Sequence, residues 1–227
     1  MAAEWRAARP EVPVVISPLL RIEYCGALPA LSGAEVLTFT SRHGVEGFCR
    51  LTPRRDLRAY AVGQATAEAA RAAGFKAVAA GGDAASLLAL IEKDGAQGPF
   101  LHPRGAHVAA DIAVALRARG LSAAEVVVYD QAAQPLSEAA RAALYGDAPV
   151  ILPLMSPRTG RLFFEGADTI RAPLLVAAMS RNVAETVPEG AATRIIVAKT
   201  PDMEALRTAL HDLVSHGKRV ERRQTPQ

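Results

Sequence analysis

The chain carries one strand-to-helix turn twice. Leu37-Thr-Phe-Thr-Ser-Arg-His-Gly-Val-Glu-Gly-Phe48 runs from an apolar strand pattern through Thr40-Ser41 into a helical pattern. Val150-Ile-Leu-Pro-Leu-Met-Ser-Pro-Arg-Thr-Gly-Arg-Leu-Phe-Phe164 repeats it, with Ser156 in the place of Ser41. Ala61-Val-Gly-Gln-Ala-Thr-Ala67 pairs with Ala178-Met-Ser-Arg-Asn-Val-Ala184, and Asp83 with Thr200, at an offset of about 115 to 117 residues. A repeat of that length built from alternating strands and helices calls for two similar α/β domains with parallel sheets of the Rossmann or flavodoxin kind. Ligands of open α/β sheets sit at the carboxyl ends of the strands. The two turns are therefore expected to face one cleft.

Read in order, residues 2–9 give a helix stopped by Pro10, and 12–16 a short buried strand. Residues 20–24 alternate apolar and polar, the mark of a half-exposed strand. Regular βα order follows, with strands over 36–40, 58–62, 76–80 and 100–102 and helices over 44–50, 64–73, 84–93 and 108–119. Asp83 is the expected N-cap of its helix, Gly74 the C-terminal stop of another, and Pro103-Arg104-Gly105 a turn. Residues 125–133, with Val126-Val-Val-Tyr-Asp130, form a strong strand, and 137–144 a helix. The βα order then restarts: strands over 150–154, 174–178 and 194–197, helices over 158–164, 182–187 and 201–214, the last with Thr200 as N-cap.

The strand at 12–16 finds no partner within 35–120. It is assigned to a discontinuous domain made of 1–19 and 135–227, with 27–124 inserted as the second domain. Residues 20–26 and 125–134 become two linker strands, an antiparallel pair able to bend.

Composition narrows the function. Half of the 227 residues are hydrophobic and aromatics are few. The net charge is only +3, and much of it lies in His216-Gly-Lys-Arg-Val-Glu-Arg-Arg223, a solvated end rather than a nucleic-acid site. Cys25 and Cys49 build neither a disulfide framework nor a metal site. No apolar run is long enough for a membrane span, and Met1-Ala-Ala-Glu-Trp-Arg6 lacks a signal-peptide core. The reading is a cytoplasmic chain with no nucleic-acid or membrane partner. Gly-x-Gly-x-x-Gly and Gly-Lys-Ser/Thr motifs are missing, against a nucleotide-binding module.

The series Phe39-Thr-Ser41, Val62-Gly-Gln-Ala-Thr-Ala67, Arg104-Gly105, Val128-Tyr129 and Ser156-Pro157 resembles the uroporphyrinogen-III synthase family over nearly the whole chain. The resemblance implies two α/β domains joined by a two-stranded linker, and no cofactor or metal. It implies closure of linear hydroxymethylbilane to uroporphyrinogen III with inversion of the last pyrrole ring. It further implies a monomer in tetrapyrrole and haem biosynthesis that takes a small-molecule substrate, in transient contact with hydroxymethylbilane synthase. The substrate carries an acetate and a propionate on each ring. Left alone it closes to the uninverted isomer, so the enzyme works chiefly by holding it folded. That task needs hydrogen-bond donors to carboxylates, which helix starts after strands supply.

The same resemblance assigns Tyr129 to assisting departure of the substrate hydroxyl. A phenol is a weak acid at neutral pH, so its loss is expected to slow turnover rather than abolish it. Substrate binding is carried over to Thr40, Ser41, Arg42, Gly63, Thr66, Arg104, Gly105, Ser156, Pro157, Arg158, Ser180 and Asn182. On their own, Thr66 reads equally as a helix cap, and Thr40 and Ser41 as turn caps. Arg42, Arg104, Arg158 and Arg181 are candidate bidentate carboxylate partners, although exposure suits each singly. His43, His102 and His107 lack a metal-ligand pattern. His102 reads as the end of a strand, with substrate contact by His102 or His107 as the alternative.

Three departures count against full activity. Ser180 and Val183 stand where the family repeats glycine and threonine, leaving Asn182 as the nearest polar substitute. The second Phe-Thr-Ser turn reads Leu154-Met-Ser156. The opening strand with its Thr-Arg-Pro ending is lacking, for which a misassigned start is expected rather than a shortened chain. A non-catalytic relative binding a tetrapyrrole or another polycarboxylate is the competing reading.

Overall fold

The computed structural model describes residues 2–31, 35–107 and 111–224, with side chains over 4–31, 35–107 and 111–215. In chain order the elements are α1 (Ala2–Ala8), β1 (Leu20–Tyr24), β2 (Val36–Phe39), α2 (Arg42–Leu51), β3 (Arg58–Ala61), α3 (Gln64–Ala72), β4 (Lys76–Ala79), α4 (Ala84–Lys93), β5 (Phe100–Gly105), α5 (Ile112–Arg117) and β6 (Ala123–Ala133). There follow α6 (Glu138–Tyr145), β7 (Val150–Leu154), α7 (Pro157–Gly166), β8 (Leu174–Ala178), α8 (Arg181–Ala184), β9 (Arg194–Val197) and α9 (Met203–Gln224). The chain divides into two compact units. One takes Met1–Arg21 and Ala133–Gln227, the other Ile22–Ala132.

The unit Ile22–Ala132 is built on a sheet in the order β1-β6-β5-β2-β3-β4. Pairing from β6 through to β4 is parallel. Along β1 and β6, Cys25 N–H donates to Val128 O and Gln134 N–H to Leu19 O, an opposite order on the two strands, so that pair is antiparallel. The chain steps outward from β2 to β3 and β4, then returns to lay β5 on the other side of β2. The strand order thus reverses between β2 and β5, the point at which doubly wound sheets take their ligands.

Both faces of this sheet are covered, which is why its strands read as near-continuous apolar runs. Leu37 and Phe39 point to one side and pack with Phe48 of α2 and Phe75. The Phe39 and Phe48 rings meet that of Phe75 with centroids 5.8 and 5.9 Å apart, in tilted and edge geometry. On the other side Tyr60, Leu87, Ile91, Phe100, Ile112 and Leu116 form a second cluster. Caps set the helix starts: Ser41, Asp83 and Asp111 accept the N–H of Gly44, Ser86 and Val114.

The other unit has a parallel sheet in the order β7-β8-β9. Its middle strand is buried along its whole length, Leu174 to Ala178. Leu154, Phe163, Val176 and Val183 pack on one face. Leu175, Leu206, Leu210 and Leu213 pack on the other, with Trp5 of α1 against them. The α1 helix is held to α9 by Arg207 donating to Glu4 at 2.5 Å and by Trp5 against His211.

Four details depart from the sequence reading. Residues 12–16 are not a strand, and Val15 and Ile16 are 47% and 56% exposed. An apolar run becomes a strand only where a ladder accepts it; Pro13 offers no N–H, and the Val14 carbonyl is taken by Arg6 instead. Second, β5 does not end at His102 but runs to Gly105, drawn on by pairing with the long β6. Third, α9 starts at Met203, and Asp202 rather than Thr200 caps it, accepting the Ala205 N–H at 2.9 Å. Fourth, α5 is shorter than the helix read over 108–119; residues 108–110 lie outside the described residues, as do the side chains of 216–223.

Candidate functional site

The carboxyl ends of β2 and β5 flank the reversal of strand order, and β5 ends opposite Tyr129 within β6. Thr40 and Ser41 follow β2, His102 to Gly105 end β5, and Tyr129 lies on β6. The fold thereby brings together hydroxyls that are 88 positions apart: Ser41 Oγ lies 3.0 Å from Tyr129 Oη. Ser41 Oγ also accepts the Gly44 N–H at 2.9 Å, so its position is set by the α2 cap. The two hydroxyls share one hydrogen bond and own two protons. Whichever donates, one proton of the pair is left uncommitted.

Glycines let these groups approach. A Cβ on Gly105 would sit 2.7 to 2.9 Å from Cζ, Cε2 and Oη of Tyr129, so only glycine admits the ring there. A Cβ on Gly44 would sit 2.6 Å from the Pro103 carbonyl oxygen, which holds the first turn of α2 against β5. Tyr129 is buried, and the His43 ring stands 5.6 Å from it, centroid to centroid. His43 Nδ1 lies 3.7 Å from Glu46, whose carboxylate accepts the Tyr24 hydroxyl. Burial and that carboxylate push the Tyr24 phenol up to about 12, so Tyr24 stays protonated.

Thr40 Oγ1 lies 3.1 Å from His102 Nε2. His102 is the third residue of β5, not its last, and only 1% exposed. Burial pushes its pKa down to about 4, against the pull of the Glu125 carboxylate, so the ring is neutral near pH 7. Arg104 donates to Glu125 at 2.6 Å and to the Gly105 carbonyl at 2.8 Å. The carboxylate raises the guanidinium further above its usual value. Arg104 thus bridges β5 to β6. Arg42 is exposed at the first position of α2.

Gly63 caps α3 with no side chain closing its N-terminal N–H groups, and Thr66 lies in that first turn, buried. Thr66 is therefore not the cap. In the other unit Ser156 caps α7, accepting the Thr159 N–H at 3.2 Å and sharing a 2.9 Å hydroxyl contact with Thr159. Pro157 takes the first helical position and Arg158 the next. Ser180 caps the short α8 without a side-chain bond, followed by exposed Arg181 and Asn182, and Val183 is buried in the core.

Sequence patterns alone missed the pairing of His102 with Thr40 and the place of His43 beside Tyr129. Neither histidine belongs to a local motif, and both partnerships cross between elements. His107 lies instead 3.7 Å from Asp130 on an exposed surface. Among the described residues no group of three or more His, Cys, Asp or Glu is placed to hold a metal ion, and no helix is long and apolar enough to cross a membrane. Two surface depressions, one lined by Arg141 and Tyr145 and the other by Asp56 and Phe75, include none of the candidate site residues in their lining. What Thr40, Ser41 and Tyr129 offer chemically is a row of hydroxyl donors beside the carboxyl ends of β2 and β5, with the uncapped N-terminus of α3 following the next strand.

Residues 7–207 match the family model described as Uroporphyrinogen-III synthase HemD. Among solved structures, the uroporphyrinogen-III synthetase of Helicobacter pylori superposes with a TM-score of 0.65 at 19% identity, covering 86% of this chain and 91% of that one. A mutant uroporphyrinogen III synthase of the extremely thermophilic bacterium Thermus thermophilus matches at TM-score 0.48 and 17% identity, over 95% of this chain and 94% of that one. The Helicobacter likeness is one of fold: two α/β domains. No curated protein matches the chain.

Proposed function

The chain belongs to the uroporphyrinogen-III synthase family, and from that membership we propose how its residues share the closure of hydroxymethylbilane to uroporphyrinogen III. The observation that carries the reading is the Ser41–Tyr129 hydroxyl pair, which stands beside the carboxyl ends of β2 and β5. One proton of that pair is free to hydrogen-bond the substrate hydroxyl as it departs with its electron pair. Departure leaves an electrophilic azafulvenium cation, and the proton lost when the ring finally closes balances the departed hydroxide as water. The last ring attacks it through its substituted carbon, and the spiro intermediate fragments and recloses inverted. Tyr129 assists the first of these steps and then has no further proton to move. A hydrogen bond that strengthens as hydroxide leaves stabilises the transition state more than the ground state.

The remaining work is positioning. Carboxylates of the substrate are held by Thr40, by the first turn of α2 with Arg42, and by the open N-terminus of α3 at Gly63 and Thr66. Gly63 supports this. Its backbone is extended and a Cβ there would meet Gly82 only at an ordinary 3.5 Å. Neither packing nor conformation asks for glycine, whereas close approach of a carboxylate to backbone N–H groups does. Arg104 and Gly105 shape the wall behind Tyr129. Ser156, Pro157, Arg158, Ser180 and Asn182 are the second unit's contribution, weaker because Val183 has been given to the core. The working form we propose is a cytoplasmic monomer receiving its labile substrate through transient contact with hydroxymethylbilane synthase.

The test is an assay with hydroxymethylbilane that resolves the inverted from the uninverted product. The native chain is expected to give uroporphyrinogen III. Tyr129→Phe is expected to lower kcat on the order of tenfold to a hundredfold while keeping the inverted product. Full activity in Tyr129→Phe would remove the phenol from the reaction. Only the uninverted isomer from the native chain would leave a binding protein.

A further inference from the structure

The His102–Thr40 pair has a hydrogen-bond direction that can be worked out. His102 Nε2 has Thr40 Oγ1 at 3.1 Å. His102 Nδ1 is buried and has no hydrogen-bond partner among the described residues. A neutral imidazole carries its single proton on one nitrogen or the other. A proton on Nδ1 would bury an N–H donor with nothing to accept it, among the rarest defects in folded proteins. With the proton on Nε2, the ring donates to Thr40 and leaves only a bare lone pair at Nδ1. Thr40 Oγ1, having accepted, turns its own proton elsewhere. Thr40 is only half-buried, and follows the strand at which the sheet order reverses.

We propose that His102 is a positioning residue for the reaction: its Nε2–H donates to Thr40 Oγ1, and the threonine hydroxyl is thereby committed to donating to a substrate carboxylate. Substrate contact by Thr40 rests on the function proposed above; the His102–Thr40 bond does not. His102 itself touches no substrate. Its ring is buried, and Glu125, Arg104 and Asp111 are the charged groups acting on it. The pair explains why a buried polar residue stands in a strand otherwise suited to apolar side chains: it sets the sense of one hydroxyl.

Two measurements test this. Nitrogen-15 NMR of the native protein near pH 7 is expected to show His102 protonated on Nε2; protonation on Nδ1 overturns the proposal. Kinetics with hydroxymethylbilane give the second. His102→Leu is expected to raise KM about tenfold with kcat nearly unchanged. His102→Gln, whose amide can donate from nearly the same place, is expected to restore KM to within about threefold of native. In a Thr40→Val background, His102→Leu should change KM by less than about twofold, since the bond is already gone. Additive effects of the two substitutions, or loss of kcat with unchanged KM, overturn the proposal. The tautomer measurement needs no variant, so it decides the bond even if His102→Leu fails to fold. A native chain that makes no uroporphyrinogen III sinks the proposed function instead, and the tautomer then still stands or falls alone.

Discussion

At Gly63 and His102 function and stability act on single residues in different ways. Gly63 has an extended backbone and room for a Cβ, so Gly63→Ala is expected to leave unfolding free energy within about 0.5 kcal/mol of native, or slightly raised by the stiffer unfolded chain. The same methyl stands over the open N–H groups of α3, and KM for hydroxymethylbilane is expected to rise severalfold. An unchanged KM would return Gly63 to an ordinary loop. His102 sets a pH dependence. Its folded pKa of about 4 lies below the ordinary histidine value, so the unfolded chain binds the extra proton. Stability is then complete above about pH 6.5 and falls as pH drops towards 4, by about 3 kcal/mol from this residue at the lower end. Urea unfolding at pH 7, 5.5 and 4.5 reads the loss, and His102→Gln is expected to flatten it. An equal slope in both proteins would mean that carboxylates alone carry the acid sensitivity.

At the scale of the element, Ser41 and Ser156 are the same device put to different use. Each caps a helix that follows a strand, with hydroxyl to backbone N–H distances of 2.9 and 3.2 Å. Ser41→Ala and Ser156→Ala are each expected to cost about 1 kcal/mol of stability in denaturant unfolding. Ser41 also holds the Tyr129 hydroxyl, so only Ser41→Ala is expected to lower kcat, by about tenfold. Equal kinetic loss in both variants would detach the effect from the Tyr129 contact. Most elements were legible before the structure. Helices α2, α3 and α4 and strands β2, β3 and β8 announce themselves through local periodicity, caps and glycine stops, and these are properties of neighbouring residues. Elements whose extent depends on a partner were misread. β5 reaches Gly105 because β6 offers a ladder that far, and residues 12–16 fail to become a strand because no ladder takes them. Asp202 outcompetes Thr200 as a cap by reaching the Ala205 N–H; two capping residues so close together cannot be ranked by type alone.

For the whole molecule, each unit owns its cores. Among the described residues, those around Phe39 and Tyr60 draw on Ile22–Ala132, and those around Val176 and Leu206 on the other segments. Calorimetry is therefore expected to resolve two transitions. Gly105→Ala forces a methyl into the Tyr129 ring, an overpacking cost of about 1 to 3 kcal/mol. It is expected to lower one transition by about 4 to 13 °C and leave the other in place. A single transition that moves as a whole would show the units to be one cooperative body. The family, the twofold repeat and the parallel α/β plan follow from the chain alone. Each rests on patterns repeated along it, and such patterns survive when individual residues drift. Which hydroxyl meets which, by contrast, was decided in three dimensions. Ser41 finds Tyr129 across 88 residues, and Thr40 finds His102 across 62. Both meetings depend on β5 returning to lie between β2 and β6, a matter of sheet order and close packing at Gly44 and Gly105 that no local pattern records.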